Sequence, residues 1–84
     1  MVVMNIYKTR FEVSCPNNGE RICYQVEIQS AHTVMAENIA GFFASLYNEY
    51  HEAIADSAYE RFGGYQVIRA HHHGVDIETR RGQP

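Results

Sequence analysis

FEVSCPNNGERICYQVEI, residues 11–28, alternates apolar and polar positions on both sides of an Asn18-Gly19 pair. Before the pair the apolar residues fall on odd numbers, Tyr7, Phe11, Val13 and Cys15, with Lys8, Arg10, Glu12 and Ser14 between them. After it they fall on even numbers, Ile22, Tyr24, Val26 and Ile28. Strand side chains repeat every two residues, so each run reads as a strand with one apolar face. Asn-Gly suits a two-residue type I′ turn, whose central residues both need positive φ. Such a turn pairs Val13 with Tyr24 and Phe11 with Val26, and the change of parity puts both apolar sets on one face. Cys15 then points to the core and Cys23 away from it. Their Cβ directions diverge, which argues against a disulfide and leaves one buried and one half-exposed thiol.

Downstream the period becomes helical, over residues 33–62. Met35, Ile39, Phe42, Leu46 and Tyr50 form a stripe that Ala36, Ala40, Phe43, Tyr47 and Ile54 widen. Thr33 is placed to cap, Glu37 suits the positive end of the helix dipole, and Gly63-Gly64 supplies the stop. As one straight helix this segment would be about 45 Å long. A compact chain of this size is only about 30 Å across. The helix therefore either breaks near NEYHEAIADS, residues 48–57, or packs its far end on another subunit; the reading adopted is a long or bent helix in a homodimer. Phe43, Tyr47, Tyr50 and Tyr59 are the residues expected at an interface, where aromatic side chains are enriched.

The closing segment, YQVIRAHHHGVDIETRRGQP, gives a second hairpin. A turn at His73-Gly74 pairs Ile68 with Thr79, Ala70 with Ile77 and His72 with Val75. On the other face it sets His71 opposite Asp76 and Arg69 opposite Glu78, two complementary pairs. The fold class is thus α+β, in the order β-β-α-β-β: an antiparallel sheet with one face under a long or broken helix. At 84 residues the chain reads as a single domain, 1–84.

Seven basic against ten acidic residues, a net charge of −3, argue against a general nucleic-acid binder. Arg80-Arg81 reads as a solvated strand end. No run approaches the about 20 apolar residues of a membrane span, and the first residues lack the pattern of a signal peptide. Two cysteines without a secretion signal suit a cytoplasmic protein.

The three histidines are followed by a patterned strand, so they belong to the fold and are not a terminal tag. Strand alternation separates His72 from His71 and His73. At most His71 and His73 share a face, one ligand short of the smallest zinc site. His32, His51 or Glu37 could complete a set, yet no CxxC, HxxxH or HExxH spacing demands it. The expectation is no metal and no cofactor, with His71 paired to Asp76 and zinc on His71 and His73 as the alternative. Among nucleophiles, Ser14, Ser30, Ser45, Ser57 and Cys23 sit in no elbow or triad context. Glu49, Glu52, Asp56 and Glu60 read as a solvated helix face.

VMAENIA, residues 34–40, resembles the helix-opening run of the tunnelling-fold enzymes that act on pterins and purines. Chains of that family also begin with a hairpin and close with one around intervening helices. The resemblance covers seven residues, and the family's metal-ligand histidines have no counterpart in the first hairpin. It implies a metal-dependent enzyme, or a binder of a pterin- or purine-type small molecule, using His71 and His73. The leading expectation, reached by elimination, is different: a small non-catalytic protein-binding module, an adaptor, subunit or inhibitor of the kind phages encode.

Overall fold

Two hairpins side by side make the sheet, and the helical segment between them covers one of its faces. The structure is a computed structural model describing residues 4–83, so the signal-peptide reading of the first residues lies partly outside it. The elements are β1 (Asn5–Ser14), β2 (Arg21–Ser30), α1 (Ala36–Ala44), α2 (His51–Phe62), β3 (Tyr65–His72) and β4 (Val75–Arg81). The strands lie in the order β1-β2-β3-β4, antiparallel throughout, so the α+β antiparallel architecture holds, with the helical segment broken into two helices. None of the helices among the described residues is long and apolar enough to cross a membrane.

The second hairpin has the expected register at every position: Ile68 faces Thr79, Ala70 faces Ile77 and His72 faces Val75. The first hairpin has the expected faces but a register displaced by two residues, with Phe11 opposite Tyr24 and Val13 opposite Ile22. The physical reason is Pro16. A two-residue turn would place it in the ladder opposite Arg21, where its missing N–H would leave a gap. Instead Pro16 to Gly19 form a four-residue loop. Cys15 N–H donates to Glu20 O and Gly19 N–H to Cys15 O, both at 2.8 Å. Asn18 Oδ1 accepts from Glu20 N–H at 2.9 Å, and Gly19 alone takes the positive φ, 73°. A shift of two preserves parity, so Phe11, Val13, Tyr24 and Val26 all remain buried, and Phe11 and Tyr24 stack with ring centroids 5.1 Å apart. Cys15 is buried, Cys23 exposed, and both are free thiols.

The helical segment breaks at residues 45–50. Ser45 Oγ donates back to Phe42 O at 2.7 Å, satisfying a carbonyl at the helix end. The chain then runs alongside β1, where Ser14 N–H donates to Tyr47 O at 3.1 Å and Ser14 bridges Asn48 in parallel. A tertiary strand contact thus overrides a helical pattern that continues through Leu46 and Tyr50. Thr33 does not cap α1. Met35 occupies the N-cap without a side-chain bond, and Tyr7 hydroxyl takes the Val34 N–H at 3.0 Å.

The core lies between the sheet and the two helices. Ile39 and Phe43 enter it from α1, and Ile54, Ala55 and Ala58 from α2. The small Ala55 and Ala58 let α2 lie close on the sheet. Gln66 is buried in β3 and donates through Nε2 to Ala58 O at 3.0 Å and Gly63 O at 2.8 Å, tying the end of α2 to the strand that follows.

Candidate functional site

Both turns lie at one end of the sheet, where Asn18 Nδ2 donates to His73 Nε2 at 3.1 Å. Beside them, on the helix-covered side, is a pocket of about 260 Å³ whose lining includes Cys15, Tyr24, Glu49, Tyr50, His51, His72 and His73. The fold brings these together from both hairpins and the helical segment, with Tyr24 from β2 and His73 from the last turn. Cys15 follows the last residue of β1, Glu49 and Tyr50 end the interhelical segment, His51 opens α2, and His72 closes β3.

His51 is the most unusual group in the pocket. Both ring nitrogens are buried and neither makes a well-formed hydrogen bond, the Ile68 backbone being the nearest polar group, and the ring meets Tyr24 edge-on at 5.2 Å. Burial lowers its pKa from the ordinary histidine value; the Ile68 backbone and Glu52 oppose the shift, and Arg81 adds to it. At pH 7 His51 is therefore neutral, with one N–H and one lone pair to offer. Burial raises the Tyr24 pKa, and the neighbouring Cys15 raises it further, so its phenol stays protonated.

The histidine run divides differently from the expectation. His71 does face away, its Nδ1 2.8 Å from Asp76 Oδ1, as the register requires. His73, however, does not share its face. Among the described residues it is the one non-glycine with positive φ, 53°, and this left-handed turn conformation breaks the strand alternation. Its ring lies over that of His72, with centroids 4.1 Å apart. The pair that forms is therefore His72 and His73, replacing the expected His71 and His73. Glu20, from the first hairpin, joins them: one donor atom from each of the three lies within 4.8 Å of the others.

A larger hollow of about 520 Å³ lies on the open face of the sheet, lined by Cys23, Gln25, Arg69, His71, Asp76 and Glu78 among others. Its charged groups satisfy one another. Arg69 Nε donates to Glu78 Oε1 at 2.8 Å, and Arg80 also binds Glu78. With its charges paired and its walls on the open face of the sheet, the hollow holds no buried unpartnered polar atom among the described residues, so the pocket at the hairpin tips is the better candidate despite being smaller.

The remaining expected residues have other duties or none assigned. Ser30 Oγ accepts from His32 N–H at 3.1 Å, and Glu52 and Asp56 hold Arg81 at 2.8 and 2.9 Å. Of the four expected interface aromatics, Phe43 is 2% exposed and belongs to the core. Tyr47, Tyr50 and Tyr59 are 76%, 57% and 41% exposed, and Tyr50 lines the pocket.

The crystal structure of the archaeosine synthase QueF-Like in the apo form shares this fold. It matches with a TM-score of 0.74 over 96% of this chain and 96% of that one, at 19% sequence identity. No family model matches the sequence, and no curated protein matches it. The likeness corrects the leading expectation of a non-catalytic adaptor, subunit or inhibitor. The chain has, over nearly its whole length, the fold of a protein described as a synthase, and this fits the tunnelling-fold alternative better.

Proposed function

We propose that this chain is an enzyme of the tunnelling-fold type acting on a small purine- or pterin-like heterocycle, bound in the pocket at the hairpin tips. The observation that carries the reading is His51: a neutral imidazole with two buried, unpartnered nitrogens in a pocket wall. Leaving such atoms unpaired costs about 1–3 kcal/mol each, and a ligand with complementary donors and acceptors removes that cost. Tyr50 offers a ring face for stacking and Glu49 a carboxylate for ring N–H groups. A volume of about 260 Å³, a little under the usual range of small-molecule sites, limits the ligand to something the size of a bicyclic base. The free thiol of Cys15 is the soft nucleophile of the pocket. When its sulfur adds to the carbon of a C=N bond of the heterocycle, the π pair moves to the ring nitrogen, which takes up the thiol proton; His51, kept neutral by burial in the same lining, offers a nitrogen lone pair and an N–H to that exchange. The fold likeness to an archaeosine synthase supports the substrate class. Two free thiols fit a reducing cytoplasm.

Thermal unfolding with a panel of purine and pterin bases tests the proposal. At a hundred times its dissociation constant a true ligand adds about 2.7 kcal/mol. For a chain of this size that raises Tm by more than about 10 °C. The shift should vanish in His51→Ala and persist in Cys15→Ala, whereas any covalent adduct seen by intact mass should vanish in Cys15→Ala. A panel without one stabilising member at millimolar concentration would overturn the assignment.

Self-association belongs to the same proposal. An overhanging helix no longer motivates it, since the segment is broken; the outer edge of β1 does. That ten-residue edge strand, covered only at Ser14 by residues 47–48, carries Ile6, 54% exposed, near its start, with exposed Met4 just before it. Long apolar edges pair with other chains unless protected. Sedimentation at about 100 μM should show a two-fold dimer, and a monomer at that concentration counts against it.

A further inference from the structure

We infer that Glu20, His72 and His73 form a divalent transition-metal site that fastens the tips of the two hairpins together. The donor set is two imidazoles and one carboxylate, a combination that suits zinc and leaves a fourth position open. Three features of the chain support it. First, one donor atom from each residue already lies within 4.8 Å of the other two. Bonds of about 2.1 Å in a tetrahedron set donors about 3.4 Å apart, so closure needs at most about 1.4 Å. Glu20 and His73 are exposed and free to move that far.

Second, His72 Nε2 is buried, faces Glu20 Oε2 at 3.5 Å and makes no hydrogen bond. A buried imidazole nitrogen aimed at a carboxylate without bonding it is an arrangement that a cation between the two would complete. Third, His73 Nε2 already acts as an acceptor, taking an N–H from Asn18. That contact holds the His73 ring beside His72, and a metal taking Nε2 would displace the Asn18 amide. The two histidines are sequence neighbours and reach one point only because His73 has φ 53°. A histidine in an ordinary strand at that position would point to the opposite face.

The inference concerns the metal alone and does not depend on the heterocycle. Zinc is titrated calorimetrically into the untagged full chain with no other ligand present. One-to-one binding with a dissociation constant of about a micromolar or tighter is expected. His73→Ala and Glu20→Gln, both at exposed positions, should weaken it by about 100-fold or more, while His71→Ala leaves it unchanged. Cobalt(II) in place of zinc should give the strong visible absorption of a tetrahedral site, lost in His73→Ala. Circular dichroism of each variant checks that the chain remains folded. Binding weaker than about 100 μM, or binding abolished by His71→Ala and indifferent to His73→Ala, would overturn the inference. Neither result bears on the heterocycle, which is read from His51 and Cys15.

Discussion

Replacing Phe43 by alanine should lower the unfolding free energy by about 3–5 kcal/mol, the range for removing a fully buried phenylalanine. Phe43 is 2% exposed and touches aromatic rings from three parts of the chain. It stacks on Phe11 of β1 with centroids 4.5 Å apart, meets Phe42 edge-on at 5.0 Å and lies 6.4 Å from Phe62 at the end of α2. Phe11 and Phe62 are fixed by β1 and α2, and Phe42 by the helix it shares with Phe43, so they cannot all move in to fill the space and a cavity remains. Native proteins are stable by only about 5–15 kcal/mol, so this one change removes a large share of the total. Urea titration should show a lower midpoint with an unchanged slope. A loss below about 1 kcal/mol would mean that the α1–β1 contact is not part of the core.

The second large effect is expected at Gly64, between α2 and β3. Its φ is 70°, and an added Cβ would collide with the Gln29 carbonyl oxygen. The left-handed conformation costs a non-glycine residue about 1–2 kcal/mol. Forcing a group into filled space costs a further about 1–3 kcal/mol. Gln29 cannot retreat, because β2 is an inner strand bonded on both sides. Gly64→Ala should therefore lower Tm by roughly 10 °C or more. Gly41→Ala is the internal control of opposite sign. Gly41 lies within α1 with nothing in the way of a Cβ, and alanine there should stabilise by about 0.5–1 kcal/mol. If both variants destabilise alike, the close approach of Gly64 to β2 is not what limits the site.

How far the fold could be read from the sequence depended on whether local chemistry or distant contacts decided each element. The second hairpin was readable to the residue, because His73-Gly74 turns as its pattern requires and both cross-strand charge pairs form. In the first hairpin the alternation fixed the faces, but a two-residue shift leaves alternation intact, and only the restriction at Pro16 selects between the registers. The length of residues 33–62 pointed to a break near residues 48–57, but the helical period does not mark where it falls: a strand contact to Ser14, remote in sequence, sets it at residues 45–50.

The pocket was less legible for the same reason. Cys15, His51 and His72 are separated along the chain, and no spacing rule connects them. Cys15 reads as a core residue by parity, and it is one; it also forms pocket wall because the strand ends there. The one local signal was the turn itself. A type I′ conformation at His73-Gly74 implies positive φ at His73, and from that the pairing of His72 with His73 could have been drawn.

The central pair of strands has a consequence for the order in which the molecule assembles. Each hairpin closes between near neighbours in sequence, but β2 pairs with β3 across the whole helical segment, Gln25 meeting Arg69. Local pairings close in about microseconds, whereas a distant pairing must first bear the entropy of a long loop. The pocket takes Cys15 from the first hairpin, His51 from the second helix and His72 and His73 from the last hairpin. A chain whose two halves have formed but not yet zipped along β2 and β3 holds every one of these side chains and no pocket. The pocket therefore arrives with the last long-range step of folding, all at once.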